Sequence, residues 1–143
     1  MDVFDKPGET GPRVLIVDDE AGICLLLKEL LDGVGYRCQT ASSGEQALAI
    51  LLQQKFDALI SDVRMPGMSG LELLEVVGPK YPRLSFLVAT GVENVTVGVS
   101  AMKKGAADYL LKPLHLDAVA VAVERALEKK RLELEVEAYR NRL

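Results

Sequence analysis

The stretch Arg13-Val14-Leu15-Ile16-Val17-Asp18-Asp19 decides the fold class, because an apolar run of strand length ends in two adjacent acids. Three later segments repeat this arrangement of a short, mostly apolar run followed by a polar residue: residues 58–61 before Asp62, residues 86–89 before Thr90, and residues 108–111 before Lys112-Pro113. Longer helical patterns separate these runs. Short apolar runs that alternate with helices are typical of βαβ units and a parallel sheet.

The alternation predicts an α/β fold, a doubly wound five-stranded parallel sheet with an extended C-terminal helix. We expect the flavodoxin-like strand order 2-1-3-4-5, which places the first and third strands side by side at the topological switch point. The strands are predicted at about residues 13–17, 36–41, 56–61, 84–89 and 107–111. This order would bring the polar residues that end the strands to one edge of the sheet.

Glycine and proline mark the expected helix ends. The first helix is predicted over residues 20–31, with Gly33 and Gly35 ending it. Gly78-Pro79 is expected to stop the third helix, since the residue before a proline is disfavoured in the helical region. The last two helices are predicted over residues 93–104 and from residue 116 to residue 143.

Capping boxes mark two helix starts. The second helix begins in a box that pairs either Ser42 with Glu45 or Ser43 with Gln46, and both pairings fit the motif. Ser69 and Glu72 form the box that opens the third helix.

Composition excludes several function classes. The chain of 143 residues is 49% hydrophobic, which suits one folded domain, and its net charge of −4 argues against general nucleic-acid binding. His115 is the single histidine, which argues strongly against a histidine-built zinc site. Cys24 and Cys38 form no motif and are expected to be reduced. The sequence shows neither a signal peptide nor a membrane-spanning run, which favours a cytoplasmic protein.

The chain divides into three expected parts. Residues 1–12 are polar, rich in glycine and proline, and predict a flexible N-terminal leader. Residues 13–128 form the predicted domain. Residues 129–143 predict a helical linker, in which Leu132, Val136, Tyr139 and Leu143 step by four, three and four as in a short coiled-coil seam. A solvated, frayed helix end explains the same pattern equally well.

The polar residues at the predicted strand ends form a coherent set. Asp18, Asp19 and Asp62 supply carboxylates, Thr90 a hydroxyl and Lys112 an ammonium group. Each is weak evidence when taken alone. The acids could be helix caps or lie in turns, the hydroxyl of Thr90 has no special meaning by itself, and a lysine before a turn proline is usually a surface residue. Taken together in this order, the five side chains suit a hard cation such as Mg²⁺ and a phosphoryl group.

At this point the sequence resembles the receiver domain of two-component response regulators over about residues 13–128. The resemblance is carried by four segments: residues 14–20, residues 62–70, Ala89-Thr90-Gly91 and Lys112-Pro113. It implies that Asp62 accepts a phosphoryl group from a sensor histidine kinase. It also implies that Asp19 and Asp62 bind Mg²⁺ directly, Asp18 binds it through water, and the backbone carbonyl of Arg64 is a further ligand.

The resemblance implies a switch as well. Thr90 and Lys112 would contact the phosphoryl oxygens, and Tyr109 matches the family's switch aromatic, although a half-buried strand tyrosine is the ordinary alternative. Arg64 and Val92 flank the site and would tune access of water to the acyl phosphate. At Lys112–Pro113 the base rate favours a trans peptide bond, while the tight turn also allows cis.

The linker suggests a signalling helix that leads to a homodimer or to an output domain absent from this chain. Regulators with an ATPase activator domain and those with a metal-dependent phosphohydrolase domain fit equally.

A pseudo-receiver that is never phosphorylated remains the alternative function. A haloacid dehalogenase-type phosphatase is disfavoured, because that family has a second aspartate two residues after the nucleophile and this chain reads Asp18-Asp19-Glu20-Ala21. We expect no enzyme in the ordinary sense, only slow self-phosphorylation and self-dephosphorylation.

Overall fold

The structure, a computed structural model, describes residues 10–142, without the side chain of Val92. Its strands are β1 (Arg13–Val17), β2 (Arg37–Ala41), β3 (Ala58–Asp62), β4 (Ser85–Gly91) and β5 (Asp108–Lys112). Its helices are α1 (Ala21–Val34), α2 (Gly44–Gln53), α3 (Gly70–Lys80), α4 (Val95–Lys103) and α5 (Leu116–Arg142). A 3-10 turn, Val92–Asn94, precedes α4.

The five strands form one parallel sheet in the order β2-β1-β3-β4-β5, which confirms the predicted fold class. Helices cover both faces. Leucines and small residues of α2, α3 and α4 pack on one face, and those of α1 and α5 pack on the other. All five residues of β3 are buried, as expected of a central strand in a doubly wound sheet. The middle of the sheet is therefore rigid up to its carboxyl edge.

Helix α1 extends three residues beyond the predicted end at residue 31, because Gly33 does not stop it. Gly35 does, with a φ of 114° that only glycine adopts easily, and its N–H donates to the carbonyls of Asp32 and Leu31. A glycine inside a helix costs only about 1 kcal/mol, so Gly33 is tolerated within α1.

The prediction that Gly78-Pro79 stops α3 is wrong. The helix continues to Lys80 with Pro79 inside it. A proline this close to the helix end removes a single backbone hydrogen bond, and the N–H of Tyr81 still reaches the carbonyl of Val77 at 2.8 Å.

The caps follow the sequence closely. Ser69 and Glu72 form the predicted capping box of α3. At α2 the second pairing is the one observed, since Ser43 Oγ accepts from the N–H of Gln46 at 3.1 Å. The Gln46 side chain returns its bond to the N–H of Ser42, one residue earlier than a capping box requires.

The segments before β1 and at the end of α5 are described only in part. Residues 1–9 of the predicted leader lie outside the described residues, and Leu143 of the predicted seam does as well. The carbonyls of Gly11 and Pro12 accept hydrogen bonds from the side chain and the backbone of Arg37, at 2.7 and 2.9 Å. Helix α5 continues through the linker to Arg142. Within residues 10–142, no helix is long and apolar enough to cross a membrane.

We predict that Gly70→Ala destabilises the domain while Gly33→Ala does not. A Cβ at Gly70 would lie 2.3 Å from the backbone oxygen of Asp62 and 2.9 Å from Cα of Val63, so α3 would have to move away from β3. The expected loss in the free energy of unfolding is about 2 kcal/mol, typical of overpacking. Urea unfolding followed by circular dichroism measures it.

Gly33→Ala is the matched control, because a Cβ there meets no atom within 4 Å. It should raise the free energy of unfolding by about 0.5–1 kcal/mol through helix propensity. Equal effects of the two substitutions would show that the α3–β3 contact is not tight.

Candidate functional site

The carboxyl ends of β1, β3, β4 and β5 surround a cleft of about 500 Å³. The residues that line it include Asp19, Asp62, Arg64, Thr90, Asn94 and Lys112. The sequence patterns had placed four of these six at strand ends, and the strand order brings them together. This is the edge where ligands bind in open α/β sheets.

The sheet's hydrogen-bond ladder fixes the acids at this edge. Asp62 is the last residue of β3, paired with Ala89 of β4, and the N–H of Val63 donates to the carbonyl of Ala89 at 3.0 Å. Asp18 follows β1 directly, and its N–H donates to the carbonyl of Ala41 in β2 at 3.1 Å. Two carboxylates are thus held by strand backbone rather than by mobile loop.

Three carboxylates meet in the cleft. Asp18, Asp19 and Asp62 each offer an oxygen atom, and these atoms lie within 4.8 Å of one another. Asp18 and Asp62 are buried, whereas Asp19 is exposed. Hard oxygen donors in this number suit Mg²⁺, which usually takes one or two carboxylates and keeps several waters. The donor set therefore fits the ion that the resemblance implies.

Burial raises the pKa of Asp18 above its usual range, and the charges of Asp62 and Asp19 add to the rise. The N–H of Glu20, 2.9 Å from Asp18 Oδ1, and the ammonium group of Lys112 offset only part of it. The ionised carboxyl is thus held at a cost in free energy. Positive charge brought among the three acids would lower that cost.

Lys112 supplies part of that positive charge. Its Nζ lies 3.2 Å from Asp62 Oδ1 and 3.7 Å from Asp18 Oδ2. Burial by itself would lower the pKa of Lys112, but the carboxylates of Asp62 and Asp18 outweigh burial and raise it. The lysine is therefore a cation at neutral pH. The Lys112–Pro113 peptide bond is cis, where the base rate favoured trans.

Thr90 and Tyr109 meet beside α4. The Thr90 side chain is 2% exposed, and its hydroxyl donates to the backbone oxygen of Asn94 at 3.2 Å. Gly98 of α4 makes room for the ring of the half-buried Tyr109. A Cβ at Gly98 would lie 2.9 Å from Tyr109 Cδ2 and 3.4 Å from Thr90 Cγ2. The methyl of Thr90 and the ring of Tyr109 thus both lie against α4 at Gly98.

Sequence reasoning missed Asn94. Arg64 Nη2 donates to Asn94 Oδ1 at 3.0 Å, across the cleft between the β3–α3 loop and the 3-10 turn. The signal in the sequence is slight, namely a polar residue one helical turn after Thr90. The side chain of Val92, which the sequence placed at the edge of the site with Arg64, lies outside what the structure describes.

The comparisons with known proteins agree on one family. The family described as the response regulator receiver domain matches residues 14–124. The DNA-binding transcriptional regulator NtrC of Salmonella typhimurium is 40% identical over 114 residues, which are 80% of this chain and 24% of that protein. The chain therefore spans about a quarter of the length of this curated relative.

Solved structures are similar as well. The structure of NtrX from Brucella abortus in complex with ADP has a TM-score of 0.86 at 32% identity, over 90% of this chain and 30% of that one. The signal receiver domain of an HD domain-containing protein from Pseudomonas fluorescens has a TM-score of 0.79 at 30% identity, over 85% of this chain and 98% of that one. Similar domains thus occur in regulators of different architecture.

We predict that Mg²⁺ stabilises this chain and that Asp19→Ala removes the effect. The ion would lower the repulsion among the three acids. At ten times its dissociation constant it should add about 1.4 kcal/mol to the free energy of unfolding. Thermal unfolding with and without MgCl₂ should therefore show a rise of a few degrees in the wild type.

Glu29→Ala is the control, because it removes one exposed carboxylate of α1 outside the cleft. It should retain the full Mg²⁺-dependent rise. An equal rise in Asp19→Ala and in the wild type would place the ion elsewhere.

Proposed function

Because the chain belongs to the family of response regulator receiver domains, we propose that Asp62 accepts a phosphoryl group from the phosphohistidine of a sensor histidine kinase. One observation carries the proposal. Asp62 ends a central strand with its carboxylate 3.2 Å from Lys112 Nζ and within 4.8 Å of two further carboxylates. This arrangement suits a nucleophile that must receive an anionic group.

The transfer forms a bond between a carboxylate oxygen of Asp62 and phosphorus while the phosphorus–nitrogen bond of the phosphohistidine breaks. Repulsion between the carboxylate and the anionic donor opposes this step. Lys112 offsets the repulsion through its charge, in a cleft where water does not screen it fully. Later hydrolysis of the acyl phosphate restores the carboxylate.

Mg²⁺, when bound, would neutralise charge on the transferring phosphoryl group. Asp19 and Asp62 would hold it directly, Asp18 through water, and the backbone carbonyl of Arg64 would complete the protein ligands. The chain's own chemistry is then slow self-phosphorylation from small donors and slow self-dephosphorylation. We do not regard it as an enzyme in the ordinary sense.

The phosphoryl group adds charge and acceptor oxygens at one point of the cleft. Thr90 would turn its hydroxyl toward them, and Tyr109 would occupy the space that Thr90 leaves. Their shared contact with α4 supports this role, because a change at Thr90 alters the packing of that helix. Phosphorylation would thus shift the population between two arrangements of α4 and β5.

The output is proposed from the relatives. The name of NtrC includes DNA binding and transcription, and this chain matches only about a quarter of the length of NtrC. We propose that the domain acts in the cytoplasm as part of a longer regulator, with a covalently linked output domain that controls transcription. It would bind neither nucleic acid nor a membrane by itself. The similarity to an HD domain-containing protein keeps a phosphohydrolase output as the second candidate.

A homodimer is proposed from the linker. Leu132, Val136 and Tyr139 lie on α5 with 47%, 51% and 64% of their surface exposed. Their spacing suits a seam with a second copy, in which each would be covered. In such a dimer, a change in the cleft on phosphorylation would be transmitted along α5.

A pseudo-receiver that binds partners without phosphorylation remains the alternative. The intact set of three carboxylates, Lys112 and Thr90 speaks against it, since a binding module needs none of them. Labelling decides between the two.

We predict that incubation with acetyl phosphate and Mg²⁺ adds one phosphoryl group, seen by intact mass spectrometry. The gain should require the metal and vanish in Asp62→Asn, which keeps the shape of the side chain but removes the nucleophile. Asp57→Asn is the control, because Asp57 lies at the opposite edge of the sheet, where it accepts from the N–H of Arg13.

Labelling of Asp62→Asn would remove Asp62 as the acceptor. If no variant is labelled by acetyl phosphate, a panel of histidine kinases should be tried next. Absence of transfer from every kinase would favour the pseudo-receiver.

We predict that Val136→Glu weakens self-association by about tenfold or more, a loss of roughly 1.4 kcal/mol, because it places a charge in the seam. Leu52→Glu is the control, since Leu52 of α2 is 68% exposed and lies outside the seam. Sedimentation velocity of the whole chain measures both. Identical profiles for Val136→Glu and the wild type would show that the exposed stripe on α5 is not a dimer seam.

A further inference from the structure

Asn94 engages two donors of the cleft at once. Its side-chain oxygen Oδ1 accepts from Arg64 Nη2 at 3.0 Å, and its backbone oxygen accepts from Thr90 Oγ1 at 3.2 Å. All three residues line the cleft that contains Asp62. One residue therefore holds both a guanidinium group and a hydroxyl that a phosphoryl group on Asp62 would attract.

The Asn94 side chain is not used as a helix cap. Asn94 occupies the N-cap position of α4, where asparagine usually accepts from a backbone N–H of the first turn. Among the described residues its side chain makes no such bond. Its partner is Arg64, thirty residues away on another loop. The residue thus joins two loops of the cleft instead of stabilising its own helix.

We propose that Asn94 is a positioning residue whose bonds to Arg64 and Thr90 form a latch on the unphosphorylated state. The proposal rests on the function proposed above. It adds the hydrogen bonds that would hold the unphosphorylated state against the switch. While the latch is closed, Arg64 Nη2 and the Thr90 hydroxyl must give up their bonds to Asn94 before they can contact a phosphoryl group on Asp62. Phosphorylation of Asp62 opens it by competition.

The competition favours the phosphoryl group once it is present. A phosphoryl group carries nearly two negative charges and three strong acceptor oxygens, whereas Asn94 offers two neutral ones. The Arg64–Asn94 bond joins a cation to a neutral oxygen, whereas a phosphoryl group would add the attraction between opposite charges. Arg64 therefore exchanges the amide of Asn94 for the phosphoryl group, and Thr90 leaves the backbone oxygen of the same residue.

The latch also connects the cleft to α4. Asn94 and Gly98 are four residues apart and so lie on one side of the helix, with Gly98 against the ring of Tyr109. Release of Asn94 frees the first turn of α4 from the β3–α3 loop. The rearrangement at Tyr109 then proceeds without the restraint from Arg64.

The test measures the affinity of the whole chain for beryllium trifluoride, a phosphoryl mimic, with Mg²⁺ by isothermal titration calorimetry. Asn94→Ala removes the side-chain acceptor and frees Arg64, so it should bind the probe about three- to tenfold more tightly, the range expected for one hydrogen bond. In an Arg64→Ala background the same substitution should have no effect. This dependence on Arg64 separates a latch from a purely structural role.

Thr96→Ala is the matched control, because Thr96 is an exposed residue of α4 outside the cleft. This variant should bind the probe with the affinity of the wild type. The NMR signal of the Arg64 Nε–H group provides a second measurement. It should move toward its phosphoryl-bound position in Asn94→Ala at a lower probe concentration than in the wild type.

The outcomes separate this proposal from the function on which it rests. If the wild type is folded but does not bind the probe with Mg²⁺, both are wrong. If it binds, and Asn94→Ala leaves the affinity unchanged or changes it equally with and without Arg64, the latch is wrong and the proposed function stands.

Discussion

The repulsion among Asp18, Asp19 and Asp62 is the constraint on which the site depends. The sheet holds two of these acids by strand backbone, one of them on the hydrogen-bond ladder itself, and burial raises the pKa of Asp18. Lys112 alone does not balance three negative charges. Positive charge brought among the acids would therefore lower the repulsion, which is why the donor set suits the Mg²⁺ ion of the proposed function.

The buried core of the sheet offsets the free-energy cost of holding the three acids close together. Strands β1 and β3 are covered on both faces, and their side chains from Val14 to Val17 and from Ala58 to Ile60 are at most 2% exposed. The acids follow at the point where this core ends. A rigid core thus fixes the carboxylates at distances that a mobile loop would relax, and the cost in free energy is met by apolar burial.

Most features that depend on short stretches of sequence were predicted correctly. Apolar runs such as residues 14–17, together with the alternation of strands and helices, gave the sheet, and the strand order then brought Asp18, Asp62 and Lys112 together. Failures occurred where a local preference was weak, as at Gly33 within α1 and Pro79 within α3. The contact between Asn94 and Arg64 could not be predicted, because the two residues lie on different loops and only the fold brings them together.

In the proposed function, helix α4 is the element that transmits a change in the cleft. Its buried residues are Gly98 and Ala101, whereas α3 buries Leu73, Leu74 and Val77. Small side chains bury little apolar area, so they stabilise the position of a helix far less than leucines do. The same small residues let α4 lie close to the sheet, with Gly98 against the ring of Tyr109. Asn94, the residue before the helix, accepts hydrogen bonds from Arg64 and Thr90 within the cleft. In the proposed latch, loss of these bonds would therefore act on a helix whose packing depends on where the ring of Tyr109 lies.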